Sequence, residues 1–250
     1  MTMKEFILTN ILDELKNTLK CCQFGAVSIP NLAEREKHFF ALFMPKVASA
    51  IAICHHIVTM EDWTWYQPTD IHERCNADDH TLDVSEVLKK KLKEHCFQTW
   101  IVAYPGESGL QFRFVAQAAG LGKIGRNIFL LHPNWGPWVH LRILGTTAPF
   151  EEGVSFEQGD MCNECNKCVN ACPSGAITEY GFEGLQCRSY RKNRGEYIPV
   201  GKEKCIIGAQ YALTYVQLGI KQEVLINQMN LILNFNFYYR IFKFSSVESI

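Results

Sequence analysis

The stretch CNECNKCVNACP, Cys162 to Pro173, constrains this chain more than any other. Four cysteines stand at Cys162, Cys165, Cys168 and Cys172, and Pro173 follows at once. The run reads C-x2-C-x2-C-x3-C-P, the ligand spacing of a [4Fe–4S] cluster. Two-residue gaps let a tight loop wrap three thiolates around one cubane. The fourth cysteine is expected to open a short helix and point away, toward a second cluster where there is one. Pro173 ends the loop and has no N–H to satisfy. Two other chemistries use cysteines in numbers, and both fit less well. Structural zinc usually pairs two C-x2-C arms across a longer gap, and disulfide frameworks belong to oxidising compartments.

With 250 residues the chain has room for one large domain, or one domain with a small module. Hydrophobic residues make up 47% and charged residues 20%, as in a soluble globular protein. The net charge of −1 provides no basic field that would announce nucleic acid or an anionic membrane, a local basic patch aside. No signal peptide is legible at the N-terminus. Eleven cysteines then point to a reducing cytoplasm and to metal thiolates. Cys21, Cys22, Cys54, Cys75 and Cys96 lie outside the run and read mostly as small buried hydrophobes.

Periodicity organises the first 155 residues. Phe6, Ile7, Ile11, Leu12, Leu15 and Leu19 predict an amphipathic helix over 3–20. Residues 25–29 read as a strand and 31–44 as a helix stopped before Pro45. The continuous apolar run 48–57 predicts a buried strand, closed by His55 and His56. Those two read as strand-end core histidines, with a ligand-facing role as the alternative. Residues 61–81, rich in aromatic and polar groups, read as a pocket-lining loop with short helical pieces. His72, Cys75, Asp78, Asp79 and His80 in and beside it could compose a metal site, although their spacing matches no standard motif. A helix follows over 81–95, with Leu82, Val84, Val87, Leu88 and Leu92 inward and its lysines solvated. Residues 99–103 read as a strand, 104–109 as a turn holding Glu107, and 110–119 as a helix. Gly120, Gly122 and Gly125 then form a loop where backbone approaches a cofactor or a packed helix. The loop follows a helix and not a strand, which argues against a dinucleotide fingerprint. Residues 127–132 and 138–146 read as a hairpin across the turn 133–137. The fold class is α+β: a layered mixed sheet with helices over 1–155, then a small ferredoxin-like iron–sulfur module over 156–205.

Several of these stretches together resemble one family. AGLGKIGRN at 119–127, the Trp135-Gly136-Pro137-Trp138 turn, CNECNKCVNACPSGAI and the Cys187–Tyr190 segment are similar to epoxyqueuosine reductase and its shorter iron–sulfur relatives. Asp78 and His80, ahead of a basic helix, resemble the same pattern. The resemblance spans roughly residues 25–200. It implies an N-terminal reductase domain that binds a corrinoid (cobalamin) and a module with two [4Fe–4S] clusters. Electrons would pass from the clusters to cobalt or substrate, the corrinoid carrying the hard step. The family substrate is a tRNA wobble nucleoside carrying an epoxide. By the same resemblance, Cys162, Cys165 and Cys168 serve the first cluster, and Cys172 and Cys187 the second. Asp78, His80, Gly120, Gly122 and Gly125 fall in the cofactor pocket. The family's catalytic acid is an Asp just upstream of the AGLG helix. Here Glu107 is the nearest carboxylate, a proton donor or a solvated turn residue. The helical-repeat tail of the longer enzymes, which helps hold tRNA, is not recognisable.

Two clusters need eight thiolates, and a second C-x2-C-x3-C-P run should fall near residues 205–217. CIIGAQYALTYVQLGIK stands there, with Cys205 alone. Joining the third base of each codon to the first two of the next can spell Cys across Gly208-Ala209, Tyr211-Ala212 and Tyr215-Val216. Pro can follow across Val216-Gln217, at the required spacing. Residues 223–250, dominated by Ile, Asn, Leu, Phe, Tyr and Lys, resemble A/T-rich DNA read out of frame. Residues 206–250 are therefore read as an aberrant, out-of-frame tail. Asn227, Asn230, Asn234, Asn236 and Arg240 interrupt its apolar run, against a membrane span.

The expected function is an iron–sulfur oxidoreductase of this type, in the cytoplasm. Its expected partners are a low-potential electron donor and a tRNA or small-molecule substrate, with no membrane. The alternative is a ferredoxin-like electron carrier without a catalytic site of its own.

Overall fold

Apolar spacing builds the first element, and the same physics shifts its face. The computed structural model describes residues 3–59, 62, 65–66, 74–103, 108–150, 162, 164–193, 197–198 and 204–205. Helix α1 (Met3–Thr18) buries Leu8, Ile11, Leu12 and Leu15, one stripe at spacings of three and four. Phe6, expected on that stripe, is 49% exposed, and Leu8 takes the core position. Strand β1 (Cys22–Ser28) begins three residues before the expected 25. A 3-10 turn, Ile29–Asn31, carries Pro30 and separates β1 from helix α2 (Glu34–Phe43). Strand β2 (Ser49–His56) is buried up to its last residue, as its continuous apolar run predicts.

Helix α3 (Asn76–Glu94) starts five residues earlier than its apolar period suggests. Its inward face opens on Ala77, Asp78, Thr81 and Ser85 before Val84, Leu88 and Leu92 take over. Polar groups on the buried side hide the period, while Asp78 and Asp79 in the first turn suit the positive end of the helix dipole. Strand β3 (Thr99–Ile101), helix α4 (Phe112–Ala118), strands β4 (Lys123–Ile124) and β5 (Leu130–Leu131), and strand β6 (Val139–Thr146) follow.

The main sheet has the order β1-β2-β6-β3, and every pairing is antiparallel. This corrects the mixed sheet expected from the alternation of helices and strands. It also corrects the expected 127–146 hairpin. Leu130–Leu131 pairs with Lys123–Ile124, while β6 runs between β2 and β3 in the middle of the main sheet. The turn between them closes on itself. His132 and Gly136 exchange two backbone hydrogen bonds of 2.8 Å, and His132 Nδ1 accepts from the N–H groups of Asn134 and Trp135. The chain leaves this knot along a new path.

Helices cover both faces. On one, α1 and α3 pack over Ile51, Ile53 and Leu144. On the other, Phe40 of α2 and Val115, Ala116 and Ala119 at α4 pack over Ala50, Ala52, Cys54 and Ile143. Gly25 permits the second contact, because a Cβ there would lie 2.2 Å from the Ala119 carbonyl oxygen. The chain divides into two compact units, Met1–Asn163 and Glu164–Ile250. The second contains helix α5 (Lys167–Ala171), the small antiparallel pair β7 (Ile177–Thr178) and β8 (Gly181–Phe182), and helix α6 (Gly184–Asn193).

Candidate functional site

The cysteine run takes a local form that differs from the expected one. Cys168 lies within α5 and is buried, whereas Cys172 closes that helix instead of opening one. Pro173 supplies the reason: the residue before a proline is driven from helical to extended backbone, and Cys172 sits at φ −71°, ψ 110°. Gly175, at φ 64°, then turns the chain back, with its N–H on the Cys172 carbonyl at 3.0 Å. Burial raises the Cys172 thiol, but the Ser174 hydroxyl and the backbone N–H groups of Ile177, Ser174 and Ala176 outweigh it and bring the thiol below its ordinary range. The Ser174 Oγ to Cys172 Sγ distance is 3.3 Å. Donors aimed at one sulfur favour a thiolate, the form that ligates iron. Cys187 lies on α6, whose turn is tied back by the Gln186 side chain to the Ser174 carbonyl at 2.6 Å. Soft sulfur donors at this spacing, one of them already biased to thiolate, fit an iron–sulfur cluster.

A second concentration of chemistry lies at one end of the main sheet. Cys22, His55 and His140 stand side by side across β1, β2 and β6, one row on the face that α3 covers. Arg142, two residues on, donates from Nη2 to Asp78 Oδ1 on α3. His140 Nε2 lies 3.5 Å from the same oxygen, and His140 Nδ1 lies 3.3 Å from Thr81 Oγ1. Burial, then Arg142 and His55, push His140 down to about 3, so it is neutral and its contact with Asp78 is not an ion pair. Cys22 Sγ faces His55 Nδ1 at 3.5 Å, and Cys21 Sγ faces His80 Nε2 at 3.6 Å. Burial and the neighbouring Cys21 push the Cys22 thiol up to about 12, while burial and His80 push His55 down to about 4.

On the opposite face of the same end, Trp135 stacks on His56 and His132 at centroid distances of 4.9 and 4.1 Å. His132 accepts two backbone N–H bonds at Nδ1, which leaves Nε2–H to donate to Gln23 Oε1 at 2.9 Å. Burial, then His56, hold it down at about 4. A proton at Nδ1 would meet two donors. The unfolded chain therefore takes up that proton first, and the stability contributed by neutral His132 is complete above about pH 6.5 and lost as pH falls toward 4. The loss expected is on the order of 3 kcal/mol. Denaturant melts from pH 7.5 to 4.5 check it: His132→Gln should flatten the dependence relative to the parent chain.

The structure separates the residues singled out from sequence. Asp78 joins Arg142 and His140, whereas His80 joins Cys21. Cys75 instead packs among Ile57 and Ala77. His72 and Glu107 lie outside the described residues, as do most of the loop 61–73 and the tail 206–250. The three loop glycines are accounted for by the chain's own packing. Gly120, at φ 78°, caps α4 with the paired bonds Gly120 N–H to Gln117 and Leu121 N–H to Ala116, both 3.0 Å. A Cβ on Gly122 would lie 2.3 Å from the Leu131 carbonyl oxygen, and one on Gly125 would lie 2.6 Å from Leu131 Cδ1. Leu131 fills the space that a side chain on Gly122 or Gly125 would take. Cys21, read as a buried hydrophobe, is only part-buried, and Cys96 is exposed. Cys22 is buried, as read from sequence, while His140, Arg142 and His132 carry no site role in the sequence reading. The one signal for them was a polar residue at an inward strand position.

Residues 159–178 match the 4Fe-4S binding domain family. The epoxyqueuosine reductase of Bacillus subtilis (strain 168) is 33% identical over 127 residues, covering 47% of this chain and 32% of that protein. That of Listeria monocytogenes is 42% identical over 85 residues, covering 34% and 22%. Over less than half of its length the chain is thus similar to epoxyqueuosine reductases. A crystal structure of epoxyqueuosine reductase with an epoxyqueuosine-modified tRNA-Tyr stem loop superposes with a TM-score of 0.57 at 25% identity, covering 78% of this chain and 59% of that one. The chain thus spans well under half the length of these two curated relatives, 32% and 22%. Among the described residues, no helix is long and apolar enough to cross a membrane.

Proposed function

We propose that this chain is an iron–sulfur oxidoreductase of the epoxyqueuosine-reductase type, with a reductase domain over residues 1–155 and a ferredoxin-type module over 156–205. The observation that carries the reading is the Cys162–Cys172 ligand run in a chain that superposes over 78% of its length on an epoxyqueuosine reductase structure. Cys162, Cys165 and Cys168 would hold one cluster, and Cys172 and Cys187 would contribute to another. When bound, such clusters supply single electrons at low potential. The chain's own part is to present thiolates: the N–H donors around Cys172 do so at one position. A low-potential donor supplies the electrons, and tRNA is the substrate class, a reading supported by the relative solved with a modified tRNA stem loop. Glu107 is retained as the proton donor and cobalamin as the first domain's cofactor on the resemblance. Residues 206–250 are read as an out-of-frame tail, which leaves the second ligand set short.

The test uses anaerobically purified chain. Cobalamin added at tens of micromolar should change its visible spectrum on binding, and unmodified bulk tRNA should compete with a labelled anticodon stem loop at low salt, where phosphate contacts are strongest. Binding of neither would favour the electron-carrier alternative.

A further inference from the structure

We propose that Cys21, Cys22, His55 and His80 form a tetrahedral zinc site of the Cys2His2 type, built from none of the iron–sulfur cysteines. One ligand atom from each of the four lies within 4.8 Å of all the others. Zinc bonds of about 2.3 Å to sulfur and about 2.0–2.1 Å to nitrogen, at tetrahedral angles, set sulfur and nitrogen about 3.5 Å apart. The two sulfur–nitrogen distances here are 3.5 Å for Cys22 and His55 and 3.6 Å for Cys21 and His80. The imidazole rings of His55 and His80 lie with centroids 4.6 Å apart, facing one space.

The backbone explains how successive cysteines converge. Side chains alternate between faces along a strand, so two neighbouring strand residues would point apart. Cys21, however, still belongs to the turn that leaves α1, where the Cys22 N–H bonds the Leu19 carbonyl at 2.8 Å, and regular pairing starts only at Cys22 with His55. The His56 N–H meets the Cys21 carbonyl at 2.8 Å and clamps the turn against the end of β2. His80 descends from the second turn of α3. Three elements distant in sequence thus contribute to one point.

Chemistry favours zinc over harder cations. Two thiolates and two imidazoles form a soft donor set without a carboxylate. Two thiolates also cancel the charge of a divalent ion, so the filled site is neutral and suits a location where Cys22 is 1% and His55 6% exposed. Four protein ligands leave no open position, which makes the role structural: a staple joining the α1–β1 turn, β2 and α3. The competing arrangement, two S–H···N hydrogen bonds in a metal-free cluster, uses the same pairs, and metal content separates the two.

Full-length protein, grown with zinc and purified anaerobically without chelators, is measured for zinc and iron separately by mass spectrometry. About one zinc per chain is expected. It should persist in the Cys165→Ser/Cys168→Ser variant and fall at least tenfold in Cys21→Ser and in His80→Gln. Zinc-edge X-ray absorption on the unaltered chain should resolve two sulfur and two nitrogen ligands, independently of how any variant folds. The proposal is overturned by less than about a tenth of a zinc per chain, by a four-sulfur shell, or by zinc that leaves with Cys165 and Cys168 and stays in His80→Gln.

Discussion

Expressed with its reading frame shifted after Cys205, the chain is expected to bind about eight iron atoms on anaerobic reconstitution, and the chain as written far fewer. On the proposed assignment Cys162, Cys165, Cys168, Cys172 and Cys187 would provide five thiolates, and a shifted frame can add three across 208–216. The chain as written lacks three of the eight thiolates that two clusters need, so the change in bound iron should be large. Iron and acid-labile sulfide per chain are the measurement. In the shifted chain, Cys168→Ala should remove about half of the iron if, as proposed, Cys168 serves one cluster and Cys172 the other. Full iron in the chain as written would sink the frame reading. An independent read of the source DNA across codons 200–222 decides the same question at the level of the gene.

Asp78→Ala is expected to cost about 3 kcal/mol, toward the lower end of what breaking a buried ion pair costs. The change removes the carboxylate to which the Arg142 guanidinium, 5% exposed, donates, while the field of Asp79 still reaches it. Removing one member of a buried pair strands the other charge, whereas removing both does not. The double variant Asp78→Leu/Arg142→Met should therefore recover most of the loss. Thermal melts would show a drop of roughly 10 °C for the single variant, using about 2–4 °C per kcal/mol for a chain of this size. Equal destabilisation of single and double variants would mean that Asp78 acts through packing and not through charge.

Legibility followed residue chemistry closely. Helix α1, strand β2 and the second half of α3 were readable because their buried residues are apolar at helical or strand spacing. The start of α3 was not, since Asp78, Thr81 and Ser85 occupy its inward face and a hydrophobic period cannot register them. The strand at 139–146 was readable as a strand but not in its partner. Beyond the His132–Gly136 bridge the expected hairpin does not continue, and β6 pairs with β2 and β3 in the middle of the sheet. Glycines 120, 122 and 125 were legible as close approaches, but only the structure identifies Leu131 as the residue that fills the space beside Gly122 and Gly125.

Sequence alone determined the iron–sulfur chemistry, because contiguous ligands carry their own spacing: a C-x2-C-x2-C-x3-C-P run sets its geometry over twelve residues, whatever surrounds it. Its limit was local as well, since Pro173 made Cys172 end a helix that it was expected to begin. Tertiary structure decided the rest. Cys21 and Cys22 meet His55 and His80, and Asp78 meets Arg142, only because an antiparallel register places Cys22, His55 and His140 in one row and α3 lies across it. The partners in these contacts are separated by 33 to 64 residues, and no local pattern ties them together. Burial then sets their character, since the same histidine that is a surface base in an open turn becomes a neutral ligand or a silent neighbour once water is gone.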